Sequence, residues 1–120
     1  AAQRGQSMGV FQYSSSKHGK VTLINVGGSL DSETAPRFDE KLRGEIGKGA
    51  SRLVCNMSKL DYIASAGLGV LIGVNDTLRK KGGEIKISEM NEKITKIFKL
   101  LGFINLFKIY KTDDEALDSF

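Results

Sequence analysis

Residues 62–69 (YIASAGLG) have the clearest chemical potential in this chain, because the Ser65 hydroxyl is followed by glycines at positions 67 and 69. A buried strand and a short loop are expected before Ser65, and a helical pattern begins at it. A helix start has unpaired N–H groups and a partial positive charge, so it tolerates an added anion. A phosphoryl group on Ser65 would change what the surface can bind. The residues therefore indicate a phosphorylatable binding switch and not an enzyme.

Two other roles for Ser65 have to be compared with phosphorylation. From the pattern alone, capping of the helix is favoured, because serines that cap helices are common. A catalytic nucleophile is less well supported, since the glycine that stands two residues before the serine of a nucleophile elbow is absent. The only histidine, His18, lies in a turn-like segment, and no Ser-His-acid set can be named. A hydrolase is therefore the weakest of the three interpretations.

The glycines near Ser65 and the carboxylate of Asp31 are the other candidate site groups. Residues 67–73 match neither G-x-G-x-x-G nor the Walker pattern, which argues against a nucleotide phosphate loop. We expect Gly69 and Gly73 to let the helix approach the sheet closely, and the same glycines are compatible with a partner's backbone approaching Ser65. Asp31 precedes the first helix, where it could cap that helix or help to shape a docking face beside Ser65.

Composition argues against several other classes of function. One cysteine and one histidine cannot build a typical metal site, and Cys55 is expected to be a small buried residue without an internal disulfide. A single cysteine fits a reducing cytoplasm. Lys93, Lys96 and Lys99 form a helical stripe that is best explained as a solvated face. The net charge of +4 is mild and no DNA-binding motif accompanies it, so nucleic-acid binding is not expected.

The length of 120 residues suits one domain with a modest core. We interpret residues 1–7 as a remnant of an expression vector, and residues 8–120 as a single domain. The start of the chain lacks the apolar region of a signal peptide, and no apolar run approaches the roughly 20 residues that span a bilayer. These features predict a cytoplasmic protein with no membrane segment.

Strand-like and helix-like segments alternate in the order β-β-α-β-α-β-α-β-α, which predicts an α/β fold with a mixed sheet of about four or five strands and about four helices. The first two strands are expected to pair as a hairpin around a turn at 17–20. Strands are predicted at 10–14, 21–26, 53–55, 84–88 and 106–110, helices at 32–46, 65–81, 91–101 and 113–119, and a connecting loop at 58–64.

The predicted helix 65–81 has an apolar side and a polar side. Asn91 and Thr112 are expected to cap the next two helices. The third helix has an apolar stripe of Ile94, Ile97, Phe98 and Leu101. On the second helix, Gly67, Val70, Leu71, Val74 and Leu78 are expected to face inward, while Asn75, Asp76, Arg79 and Lys80 are expected to face water.

Four pieces of this chain resemble the STAS domain family, specifically the bacterial anti-sigma factor antagonists. Residues 28–31 (GSLD) resemble the family's Gly-Glu-Leu-Asp segment, and residues 53–60 resemble its central strand and loop. Residues 62–71 resemble the signature Met-Asp-Ser-Ser/Ala-Gly-Leu-Gly, and residues 102–110 resemble the closing segment. The spacing also agrees, so the similarity spans about Val10 to Leu117. The family usually has an aspartate where this chain has Ala64.

The resemblance implies a STAS-like fold and a role in partner switching. Its antagonists bind an anti-sigma factor that is also a serine kinase and thereby free the sigma factor. The kinase phosphorylates the serine that matches Ser65, and a PPM-type serine phosphatase removes the phosphate. This chain would then be only a substrate, without a cofactor of its own. Separately from the resemblance, we expect it to be a monomer that meets its partner through the Ser65 end. The implied partner-binding residues are Asp31, Ala64, Ser65, Ala66, Gly67, Leu68 and Gly69.

Other roles within the same family stay open. The chain could serve as a less regulated antagonist, as a scaffold-type STAS protein, or as an antagonist with an output other than transcription. A nucleotide-binding regulatory or transport-associated STAS module is a further alternative, which would bind a phosphate group at the start of the second helix.

Overall fold

In the part of the chain that the structure describes, five strands form one mixed sheet that is flanked by four helices. The computed structural model describes residues 10–120. It confirms the predicted fold class and the predicted order of the elements. The strands are β1 (Phe11–His18), β2 (Val21–Leu30), β3 (Arg52–Ile63), β4 (Glu84–Ser88) and β5 (Ile109–Tyr110), and the helices are α1 (Ala35–Gly47), α2 (Ser65–Arg79), α3 (Glu92–Leu100) and α4 (Asp113–Asp118).

The strands lie side by side in chain order, from β1 at one edge to β5 at the other. β1 and β2 pair antiparallel, as predicted, and the remaining neighbours pair parallel. The predicted turn at 17–20 is too long, because Lys17 and His18 still pair with Thr22 and Val21. Gly19 takes a φ of +65° in the tight turn that remains. Parallel pairing brings the carboxyl ends of β2 and β3 to the same end of the sheet.

The third strand is longer than predicted. The predicted loop at 58–64 is wrong, since β3 continues to Ile63 and pairs with β2 along its whole second half. Leu60 and Ile63 are buried there. Two register shifts in the pairing break the regular alternation of buried and exposed residues, which is why the strand pattern is hard to recognise in the sequence. This extension carries the chain directly to Ser65.

The two faces of the sheet are covered differently. The larger core joins one face of the sheet to α1, α2 and α3, through residues such as Ile24, Phe38 and Leu71. On the opposite face a small cluster packs under α4, with Leu23 and Ala116 among its members. This face is therefore covered by α4 near the amino ends of β2 and β3. Within residues 10–120, none of the helices combines the length and apolar content needed to cross a membrane.

Several helix details confirm or correct the sequence predictions. Asn91 and Thr112 cap α3 and α4 as predicted, with their side chains accepting from the amides of Ile94 and Glu115. Asn75 was expected to face water, but it is buried, because its side-chain oxygen accepts a 2.9 Å hydrogen bond from the Ile85 amide.

Two element boundaries and the exposure of one residue also differ from the predictions. Helix α1 begins at Ala35 and not at 32, because residues 32–34 form a turn. The last strand is confined to Ile109–Tyr110, where it pairs with the end of β4. Leu101 was expected in the buried stripe of the third helix, yet it is largely exposed because it follows the last helical residue.

Candidate functional site

Ser65 is the first residue of α2 and is exposed to solvent. The cap of this helix is Ala64, whose extended backbone (φ −94°, ψ 172°) is typical of that position. No side chain among the described residues caps the helix start, so the capping role predicted for Ser65 is wrong. The hydroxyl therefore lies at the positive end of a fifteen-residue helix without a capping hydrogen bond to hold it.

Gly67 allows the helix to begin this close to the sheet. A Cβ atom added at Gly67 would lie 2.9 Å from both the Ile63 Cγ1 and the Leu30 Cβ, which is too close for a real contact. The prediction that Gly69 and Gly73 allow the close approach of the helix to the sheet is wrong. A Cβ at Gly69 would meet open space, and one at Gly73 would meet only the Arg43 guanidinium. Gly67 is thus the glycine that allows α2 to approach the sheet closely.

Asp31 organises the loop that runs beside Ser65. Its Oδ1 accepts hydrogen bonds from the amides of Glu33 (2.9 Å) and Thr34 (3.0 Å), while the Thr34 hydroxyl donates to the Ser29 carbonyl oxygen at 2.6 Å. The Thr34 hydroxyl also accepts from the Asp31 amide, which closes the turn before α1. Hydrogen bonds from the Thr34 and Glu33 amides hold the pKa of Asp31 below its ordinary value. Asp31 is thus a charged residue with a fixed orientation.

The ends of β2 and β3 place Asp31 and Ser65 on neighbouring segments. Leu30 and Ile63 are paired residues, and the Ala64 amide donates a 2.7 Å hydrogen bond to the Leu30 carbonyl oxygen. Asp31 directly follows Leu30, and Ser65 directly follows Ala64. The structure therefore places these two residues, which are thirty-four positions apart in the sequence, at the same end of the sheet.

The predicted partner-binding residues divide into exposed and buried groups. Ser65, Ala66 and Gly69 are exposed, and Asp31 and Ala64 are partly exposed. Gly67 and Leu68 are buried, so the Leu68 side chain contributes to the core and presents no surface to a partner. We use the term docking rim for these accessible residues together with Tyr62: Asp31, Tyr62, Ala64, Ser65, Ala66 and Gly69.

Tyr62 belongs to this rim and is not among the site residues predicted from the sequence. It pairs with Ser29 at the end of β3 and is 50% exposed. Its neighbour Ile63 points into the core, so strand alternation directs Tyr62 to the opposite face. The signal was present in the sequence as an aromatic residue three positions before Ser65, but it could be used only once residues 58–63 were known to form a strand.

Among residues 10–120, neither His18 nor Cys55 is placed to act as a catalytic partner of Ser65. His18 pairs with Val21 at the far end of β2, and about 30 Å of strand separates that end from Leu30. The His18 ring lies 2.9 Å from the Ser16 hydroxyl. Cys55 is fully buried, and burial raises its pKa to about 12, so its thiol is not activated. No group of three or more His, Cys, Asp or Glu residues within residues 10–120 could hold a metal ion.

Comparisons with known proteins agree on one family. The model of the STAS domain matches residues 12–116. The anti-sigma-B factor antagonist of Bacillus subtilis is 30% identical over 86 residues, which cover 72% of this chain and 78% of that protein.

Solved structures show the same fold. An anti-sigma factor antagonist from Mycobacterium paratuberculosis superposes with a TM-score of 0.81 at 24% identity, covering 92% of this chain and 93% of the other. The anti-sigma factor antagonist SpoIIAA in its unphosphorylated form gives a TM-score of 0.75 at 22% identity, covering 92% and 95%. The phosphorylated form of SpoIIAA, a Bacillus protein, superposes with a TM-score of 0.68 at 22% identity, covering 92% of this chain and 98% of the other. The family match and the Bacillus subtilis relative show that this chain belongs to the STAS domain family.

Proposed function

We propose that this protein is an anti-sigma factor antagonist that binds its anti-sigma factor through the docking rim. The names of the relatives support this role. The observation that carries it is the exposed Ser65 hydroxyl at the first position of α2, beside the ordered Asp31 turn. The rim offers an aromatic ring, a fixed carboxylate and small residues, which together suit close docking of another protein.

Phosphorylation of Ser65 is the proposed switch. A phosphoserine adds roughly −1.5 to −2 charges at neutral pH, and the start of a helix tolerates such an anion. The fold should therefore survive, in keeping with the existence of solved structures for both forms of SpoIIAA. At a tight interface the same group adds bulk and must be desolvated. A loss of about 3 kcal/mol would weaken binding more than a hundredfold.

The proposal assigns all catalysis to partner proteins. The anti-sigma factor would act as the serine kinase and supply ATP, metal and catalytic groups, and a PPM-type phosphatase would reverse the reaction. This chain would be a non-enzymatic, monomeric substrate that works in the cytoplasm. The docking rim contains no residue that could act as a base toward Ser65 other than Asp31, whose carboxylate is already engaged by the turn before α1.

The role can be tested with a competition experiment. The cognate anti-sigma factor is first recovered from native cytoplasm with this protein as bait and is then loaded with its sigma factor. Addition of the unphosphorylated protein should release the sigma factor, and addition of the protein phosphorylated on Ser65 should not. Failure of the unphosphorylated form to bind any anti-sigma factor or to release a sigma factor would contradict the proposal.

A nucleotide-binding or transport-associated STAS module is a second candidate. The observation that favours it is the exposed start of α2, whose amides could receive a phosphate group. Titration of the protein with GTP and ATP under equilibrium conditions separates the two functions. Saturable nucleotide binding that is lost when Ser65 is phosphorylated would support this candidate, and the absence of binding would remove it.

A further inference from the structure

Three leucines are exposed within seven residues at the end of α3 and in the loop that follows it. Leu100 is 88% exposed, and Leu101 and Leu106 are 46% and 48% exposed. The segment that carries them is well anchored, because Phe103 and Ile104 pack against the core and the Phe103 amide donates to the Phe98 carbonyl at 2.8 Å. An ordered segment therefore holds large apolar side chains in water, which is typical of a protein-binding surface.

This segment forms one wall of a groove whose other wall is α2. A cavity of about 310 Å³ lies between Ile72, Asp76 and Arg79 of the helix and the loop residues Asn105 and Leu106. Arg79 follows Ser65 by fourteen residues, which is about 21 Å along a helix. The other end of the groove is nearer to the docking rim, at Ile72, which follows Ser65 by seven residues or about 10 Å along the helix. We use the term leucine surface for the two apolar groove residues Ile72 and Leu106 together with the exposed leucines at the end of α3, Leu100 and Leu101.

Positive charge surrounds the leucine surface. Lys96 and Lys99 are exposed on α3, and Arg79 and Lys80 are exposed at the end of α2. The nearby carboxylate of Glu84 lies 3.8 Å from Arg79 and 3.3 Å from Lys108, so its charge is already opposed by two cations. Asp76 is the acidic residue in the groove wall itself. The balance of charge around the leucines favours a negatively charged occupant.

We propose that the leucine surface is a second docking site, and that its occupant is an acidic amphipathic helix of a partner protein. The apolar face of such a helix would cover the leucines along the groove beside α2, and its acidic flanks would meet Lys96, Lys99 and Arg79. A groove with two walls suits a chain segment better than it suits the flat surface of a bilayer. Because Ser65 is not among the residues that line the groove, occupancy should not depend on the phosphorylation of that residue.

The probe for the test is a fluorescent, helical peptide with leucines on one face and glutamates on both flanks. Saturable binding to the full chain is expected by anisotropy. The double variant Leu100→Ser/Leu106→Ser should weaken binding by about tenfold or more, because exposed anchors are removed. Lys96→Glu/Lys99→Glu should weaken it to a similar extent and reduce its dependence on salt. Ser65→Asp should bind like the wild type.

Matched controls keep the result specific to this surface. Val10→Ser removes an exposed apolar side chain at the other edge of the sheet, and Lys17→Glu/Lys20→Glu reverses two charges near the hairpin turn. Both should bind the peptide normally. Far-ultraviolet circular dichroism and urea unfolding confirm that every variant is folded.

The proposal is overturned if the peptide does not bind, or if the leucine and lysine variants bind as well as their controls. It is also overturned if a peptide with lysines in place of the glutamates binds equally well. Two further outcomes would assign the surface to another occupant and reject the acidic helix. They are preferential binding to phosphatidylglycerol vesicles through the same leucines, and self-association of the wild type that Leu100→Ser/Leu106→Ser abolishes.

Discussion

The Ala64 amide donates a 2.7 Å hydrogen bond to the carbonyl oxygen of Leu30. This bond joins the last residues of two neighbouring parallel strands, one of which leads into the Asp31 turn and the other into α2. It therefore fixes the carboxylate of Asp31 and the hydroxyl of Ser65 on adjacent segments. The proposed switch depends on this relationship, since it puts both residues at the same end of the sheet.

Replacement of Gly67 or Gly69 by alanine should have opposite effects on stability. Gly67→Ala should lower the free energy of unfolding by about 1–3 kcal/mol, because its methyl group would collide with Leu30 and Ile63. Gly69→Ala should raise it by about 0.5–1 kcal/mol, since the methyl group enters open space on a helix. Urea unfolding measures both changes. Equal effects of the two substitutions would show that the packing around Gly67 is described incorrectly.

Ala64→Asp should stabilise the start of α2. The backbone at position 64 already has the extended conformation of a helix cap, but alanine offers no acceptor to the first amides. An aspartate there should raise the free energy of unfolding by about 0.5–2 kcal/mol. Ala64→Asn is the matched uncharged cap. If the cognate kinase needs a carboxylate at this position, Ala64→Asp alone should also accelerate phosphorylation of Ser65, and an equal rate for both variants would exclude that role.

The turn before α1 should make stability depend on pH through Asp31. Hydrogen bonds from the Thr34 and Glu33 amides lower the pKa of Asp31 in the folded state. The charged form therefore stabilises the fold above the ordinary pKa of 3.8, and this contribution disappears as the pH falls through the lowered value. Asp31→Asn should be less stable than the wild type at pH 7, and the difference should narrow at strongly acidic pH. A difference that grew on acidification would contradict this assignment.

Tyr62 should act as an anchor for the anti-sigma factor. Tyr62→Ser should weaken binding by about 2 kcal/mol or more, because it removes a half-exposed aromatic ring from the docking rim. Tyr62→Phe keeps the ring and should retain most of the affinity. The free energy of unfolding of each variant, measured in urea, controls for damage to the fold. An affinity of Tyr62→Ser equal to that of the wild type would place the interface elsewhere.

Much of the fold could be predicted because its local signals agree with the tertiary structure. The strand at Glu84–Ser88, the helix start at Ser65 and the caps at Asn91 and Thr112 are confirmed. The strand at residues 58–63 could not be predicted, because two register shifts hide its alternation. Its pairing with β2 is a contact between distant parts of the chain, which a local pattern does not encode.

The candidate site also combines features that local sequence signals predict with features that depend on contacts between distant parts of the chain. Ser65 and Asp31 could be named from residue type and position, but only the pairing of β2 and β3 brings them together. The burial of Leu68 and Asn75 was missed because helical periodicity alone does not say where neighbouring elements lie. Asn75 is buried by its hydrogen bond to the Ile85 amide, and that contact requires the turn at Gly82 to fold the chain back beside α2.

The central claim is that the exposed Ser65 hydroxyl receives a phosphoryl group and thereby controls docking. The most direct test is intact-mass measurement after incubation of the wild type and Ser65→Ala with the cognate kinase and ATP, followed by an affinity measurement on each product. We predict that the wild type gains one phosphoryl group and loses affinity for the anti-sigma factor, while Ser65→Ala gains none and keeps its affinity. An equal mass gain in both proteins, or unchanged affinity of the phosphorylated wild type, would contradict the account.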